Sequence, residues 1–161
     1  SDQDQQGKLQ VKSFVVKQIS SWNASSKDEL MLEVQNRQTS LTDAIRSYAN
    51  TGDEDDRDLS RVGISLEMFS AYTDGYLSLR AAQLTDTEIG HLAFSARYIT
   101  FEQVLRFLMD YIDGDTYYKI KYPDHNLVRT HAQYRLLQSM EEHYGEMCRI
   151  VDGIAAKYRN A

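Results

Sequence analysis

Pro123 is the only proline in 161 residues, and only eight glycines accompany it. Proline and glycine are the strongest local punctuators of a chain, so a sequence this poor in them favours long helices over a turn-rich sheet. Apolar residues make up 42%, a normal globular share, and a chain near 150 residues buries roughly two thirds of its surface on folding. One compact all-α unit, a helical bundle, is the expectation.

Hydrophobic spacing supports it. Leu66, Phe69, Tyr72, Tyr76 and Leu79 recur at helical intervals, as do Ile89, Leu92, Phe94, Ile99, Leu105 and Leu108. Leu137, Met140, Tyr144, Met147, Val151, Ile154 and Tyr158 alternate by threes and fours, predicting one helix well above average length. That 137–158 seam faces either the bundle's own core or a second copy in a homo-oligomer. Capping pairs precede several segments: Ser26 with Glu29, Ser40 with Asp43, and Thr85 with Glu88. Val11, Val15, Ile19 and Trp22 share a helical face, although their valines also suit a strand.

Residues 1–7 read as a disordered lead-in and 8–41 as an N-terminal helical region. Residues 42–161 form the main helical unit. DEDDRD at 53–58 reads as a solvated loop, because like charges repel and resist burial.

Charge and cysteine content exclude several classes. A formal charge of -6 argues against a nucleic-acid binder, since tracking phosphates needs clustered Lys and Arg. Cys148 is the only cysteine, so no internal disulfide can form. No stretch approaches the roughly twenty apolar residues of a membrane span. A reducing cytoplasm fits, with no membrane partner. The four histidines are scattered without metal-ligand spacing, and no Gly-rich phosphate loop, Walker lysine, GxSxG or CxxC occurs.

The stretch RFLMDYIDGDTYYKIKYPDHN, Arg106 to Asn126, collects four aspartates, four tyrosines and the proline between two apolar patterns. Aspartates near a helix C-terminus oppose the macrodipole, so the chain should break at Gly114. Two readings are open. In one, Arg106 and Lys119 neutralise the acids while Tyr111, Tyr117 and Tyr118 bury their rings. In the other the stretch holds a polyol: Asp and Arg hydrogen-bond sugar hydroxyls and a tyrosine ring covers an apolar sugar face.

The segments DAIRSYANTGDEDDRDLSRV, FSAYTDGYL, LTDTEIGHLAF and RFLMDYIDGDTYYKIKYPDHNLVRTHAQYRLLQSMEEHYGEM, in that order, resemble the C-terminal part of N-acetylhexosamine 1-kinase-like proteins. These belong to the aminoglycoside-phosphotransferase-like family. The resemblance runs from about Thr42 to Met147 and implies the helical C-terminal subdomain of a protein-kinase-like fold. It implies a sugar phosphotransferase that uses ATP and Mg2+, with Arg106 and Tyr117 contacting the sugar. Asp110 and Asp115 complete the candidate substrate-binding set.

The resemblance does not extend to the catalytic parts. VQNRQTSL stands where that family carries an Asp-rich metal segment, and Thr42 replaces its usual Gly before DAIR. Phosphoryl transfer depends on positioning and on charge neutralisation by Lys and metal ions. The expectation is therefore a sugar-acceptor portion with no cofactor and no catalytic residue of its own, a kinase lobe being a possible partner. The alternative is a noncatalytic interaction or scaffold module derived from the same family.

Overall fold

The structure, a computed structural model, describes residues 39–160, with side chains from Leu41 onward. The segment around Val11 to Trp22 and the Ser26/Glu29 pair lie outside the described residues. Six helices follow in order: α1 (Thr39–Tyr48), α2 (Leu66–Arg80), α3 (Asp86–Gly90), α4 (Leu92–Ile112), α5 (His125–Glu142) and α6 (Tyr144–Arg159). Single 3-10 turns occupy Leu59–Arg61 and Ala81–Gln83. Among the described residues there is no strand, only an isolated antiparallel bridge between Asn50 and Ile64. The all-α expectation holds.

The main core gathers Ile45 of α1, Phe69 and Leu77 of α2, Leu92 and Ala96 of α4, Leu136 and Met140 of α5, and Met147 and Val151 of α6. Phe101, Val104 and Leu108 of α4 close on Leu137 of α5 in a second cluster. α4 and α5 form the most extensive pairing in the bundle. The seam residues Leu137, Met140, Met147 and Val151 are buried within this chain.

The local sequence explains most boundaries. Thr85 and Glu88 make the reciprocal capping box at the start of α3, the hydroxyl accepting from the Glu88 amide and the carboxylate from the Thr85 amide. Ser65 caps α2 by accepting from the Met68 amide. Ser40, expected as a cap, falls inside α1, which begins at Thr39 and so crosses the expected boundary at residue 42. Asp43 instead accepts from Arg46 one turn on.

Two helical expectations need correction. The long C-terminal helix is two helices joined at His143, whose φ of -108° and ψ of 12° leave helical geometry. His143 Nδ1 donates to the Ser139 carbonyl at 2.8 Å. His91, between α3 and α4, repeats this with Nδ1 on Thr87 O at 2.7 Å. The joint at His143 inserts no extra residue, so the threes-and-fours alternation keeps the same side inward on both halves. In α2 the buried stripe is Phe69, Thr73 and Leu77, while Leu79 is 80% exposed. Two residues beyond Leu77 is about 200° round the helix, which turns Leu79 outward.

Candidate functional site

α4 ends in a Schellman motif at the predicted break. The Asp115 amide donates to Asp110 O at 2.7 Å and the Gly114 amide to Tyr111 O at 3.4 Å. Gly114 has φ +92° and Asp115 φ +61°, a left-handed pair that glycine and a short polar side chain tolerate best. The chain then folds back, laying Tyr117 and Tyr118 along α4.

Asp110 is the pivot of that return. The residue is 5% exposed, and its carboxylate accepts from the amides of Tyr117 (2.8 Å) and Tyr118 (3.0 Å) and from Asn126 Nδ2 (2.7 Å). Burial alone would push this acid upward; hydrogen bonds from Tyr118, Tyr117, Asn126 and Thr116 outweigh it and hold the carboxyl below its ordinary value. The same Asn126 amide nitrogen donates to Asp115 Oδ1 at 2.9 Å, and Asn126 Oδ1 accepts from Arg129 at 2.9 Å. Asp110 and Asp115 thus fasten the turn to α5. Neither Arg106 nor Lys119 neutralises them; Lys119 serves through its carbonyl, which accepts from Arg129 at 3.2 Å.

Arg106 and Tyr117 do come together. Arg106 donates to the Tyr117 hydroxyl at 3.4 Å, and its guanidinium carbon lies 5.7 Å and 5.8 Å from the Tyr117 and Tyr118 ring centres. Tyr117 is 73% exposed, against the first of the two readings, in which its ring is buried, and meets Tyr118 edge-on at 4.8 Å. Tyr118 in turn packs on Phe107 at 4.9 Å and accepts from Gln103 Nε2 at 3.1 Å.

These side chains form one wall of an open cavity of about 390 Å³ between α1, α4 and the 116–118 return. That volume lies in the range of small-ligand pockets, roughly 300–1,000 Å³. Glu102, Gln103 and Arg106 line it from α4, Asp43 and Arg46 from α1, and Glu54 from the acidic loop. A shallower recess of about 240 Å³ on the other side of Tyr117 includes Arg106, Met109, Asp113 and Thr116. Arg106 and the tyrosine pair separate the two.

The far wall is a charge network in which a buried arginine meets two exposed carboxylates. Arg46, 8% exposed, binds Asp43 at 2.9 Å, Glu54 at 2.7 Å and Gln133 Oε1 at 3.1 Å. Desolvation would lower the Arg46 pKa; the hydrogen bond and charge of Glu54, with Asp43, outweigh it and raise it. The acidic stretch 53–58 is a largely solvated loop, as expected, with Asp56 its one buried residue, and this network and its neighbours tether it to the bundle. Asp55 accepts from His125 Nε2 at 2.8 Å, Arg57 pairs with Asp124 at 3.1 Å, and Asp58 caps the 3-10 turn through the Ser60 amide at 3.1 Å. Because His125 Nδ1 accepts from the Lys121 amide at 3.1 Å, Nε2 carries the hydrogen toward Asp55. Gly52 allows the loop's entry, since a Cβ there would meet Val62 Cγ2 at 2.8 Å.

Sequence reasoning missed Arg46, Glu54, Glu102 and Gln103 as lining residues. Glu102, Gln103 and Arg106 share one face of α4 at three- and four-residue spacing, and Asp43 with Arg46 repeats that spacing on α1, a signal present but common on any solvated helix. Among the described residues, no group of three or more His, Cys, Asp or Glu side chains could hold a metal ion, and no helix is long and apolar enough to cross a membrane. No protein-family model matches the chain.

Proposed function

We propose that this chain forms the sugar-acceptor side of an ATP-dependent N-acetylhexosamine kinase of the aminoglycoside-phosphotransferase-like kind, and that its own part is to bind the sugar. The observation that carries the reading is the wall of the 390 Å³ cavity, where Arg106 touches the Tyr117 hydroxyl at the mouth. A guanidinium offers a fixed fork of donors to ring and acyl oxygens, and an exposed phenol ring offers an apolar face with a polar tip. Gln103 adds amide hydrogen-bonding capacity beside them. Asp110 and Asp115 act in this reading as positioning residues that hold the Tyr117 turn.

Transfer of phosphate requires a nucleotide lobe, a catalytic aspartate and bound Mg2+, for which this sequence supplies no recognisable segment, so ATP and metal belong to the kinase reading outside this chain. The scaffold alternative leans on the 137–158 seam, and the buried side chains of that seam already pack within this chain.

Isothermal titration of the chain with N-acetylglucosamine tests the proposal. Binding at millimolar concentration or tighter is expected, weakened about tenfold by Arg106→Ala and by Tyr117→Ala, the loss of roughly one charge-assisted hydrogen bond or one ring face. No heat from the wild-type chain up to tens of millimolar, on the order of ten times the expected constant, rejects it.

A further inference from the structure

Most charged side chains lining the cavity are already committed to partners. Arg46, Asp43 and Glu54 satisfy one another. Arg129 is held by the Lys119 carbonyl and Asn126. Glu102 and Arg106 differ. They stand four residues apart on α4, the spacing at which opposite charges on a helix usually pair, yet no ion pair within 4.0 Å joins them among the described residues. Both line the cavity, Arg106 donating to the Tyr117 hydroxyl at a long 3.4 Å and lying over the Tyr117 and Tyr118 rings. The charge of Glu102 is felt by Tyr98, whose hydroxyl is pushed up first by burial and then by that carboxylate.

We infer that Glu102 is a specificity-determining residue of this cavity, accepting a hydrogen bond from the N–H of the ligand's acetamido group while Arg106 donates to its carbonyl. The inference rests on the sugar-site reading above and deepens it. An ionised carboxylate is acceptor-only and a guanidinium donor-only, so the two together ask for a ligand group that carries both a donor and an acceptor. A secondary amide does, with its N–H and C=O on opposite sides of a trans bond, so that it bridges the two side chains. A sugar hydroxyl in its place also donates and accepts, but from a single oxygen, so its donor and acceptor are not set apart as those of an amide are. Of the other charged groups lining the cavity, Asp43, Arg46 and Glu54 together carry a formal -1 and Arg129 a formal +1, so they sum to zero. Rejection of the wrong analogue comes from leaving one of these polar groups without its partner.

The test is titration of wild-type chain, Glu102→Gln, Glu102→Ala, Glu102→Leu and Arg106→Ala with N-acetylglucosamine and with glucose. Wild type is expected to favour N-acetylglucosamine. Glu102→Gln, which keeps the shape but replaces the charged acceptor, should bind N-acetylglucosamine about tenfold more weakly and change glucose less than about twofold, so that the preference collapses. Glu102→Ala and Glu102→Leu should behave as Glu102→Gln does. If Arg106→Ala abolishes binding while all three Glu102 variants keep the wild-type preference, the inference is overturned and the sugar-site reading stands. If Glu102→Leu, which keeps the bulk and has no acceptor, retains the wild-type preference, Glu102 acts through its bulk and the inference is likewise overturned. Wild-type chain that binds neither sugar overturns both.

Discussion

Asn126 shows how much one side chain can carry here. Fully buried, it donates to Asp110 and Asp115 at once and receives Arg129, joining the end of α4, the tyrosine return and α5. Asn126→Ala leaves the Asp110 carboxylate one donor short in a buried place, and a stability loss of about 1–3 kcal/mol is expected by urea denaturation. The same variant should loosen Tyr117 against Arg106, so any sugar affinity should fall with it; unchanged stability would show that water replaces the amide without loss. Asp110 and Asp115 stood out in the sequence because acids cluster around Gly114, and the sugar reading turns both to a ligand. The donors that hold them, from Tyr117, Tyr118 and Asn126, were not legible. A carboxylate's direction depends on which donors surround it, and those donors come from residues up to sixteen positions away.

At the scale of elements, the joint between α5 and α6 is built from Ser139 and His143. The Ser139 carbonyl takes the His143 ring and its hydroxyl oxygen takes the buried Ile64 amide at 3.0 Å, pinning the loop after the 3-10 turn onto α5. Ser139→Ala strands that amide, at an expected cost of about 1–3 kcal/mol; Ser139→Thr, which keeps an acceptor, should recover part of it. Denaturation of the two variants side by side checks this, and equal losses would count against the hydrogen bond as the cause. The α2 segment and the start of α3 were legible because apolar spacing marks the one and the Thr85/Glu88 pair, three residues apart, marks the other. The break at His91 that parts α3 from α4 was not, the apolar spacing running across it from Ile89 to Leu92. The His143 break was not legible, since the apolar alternation runs through it undisturbed.

For the whole molecule, the acids tied into the bundle set its acid limit. Asp55 is held below its ordinary value of 3.8 by the His125 hydrogen bond, Asp74 by the Tyr158 hydroxyl and then Lys157, and Asp124 by Arg57. The unfolded chain therefore takes up protons near pH 3.8 that the folded chain still refuses, so their stabilisation is present above that pH and is lost as pH falls through the lower native values. His131 acts in a higher window. Burial lowers its pKa below 6.5, so the unfolded state protonates first and stability declines as pH drops below 6.5, levelling off beneath the native value. Glu141, raised above 4.5 by burial, works the other way, adding stability as pH falls through its raised value toward 4.5. His131→Gln should flatten the stability profile just below pH 6.5, measured by urea denaturation at several pH values; an unchanged slope would remove His131 as its source. By itself the sequence determined the all-helical class, the return at Gly114, the cap at Thr85 and the adjacency of Arg106 with Tyr117, because each rests on periodicity, backbone freedom or neighbours within about a dozen residues. Only the tertiary structure decided that the acidic loop is fastened, that Arg46 and Gln133 meet across 87 positions, and that Asp110 faces inward. Such pairings depend on which helices pack together, and the apolar patterns that drive packing do not say which polar groups will meet once they have.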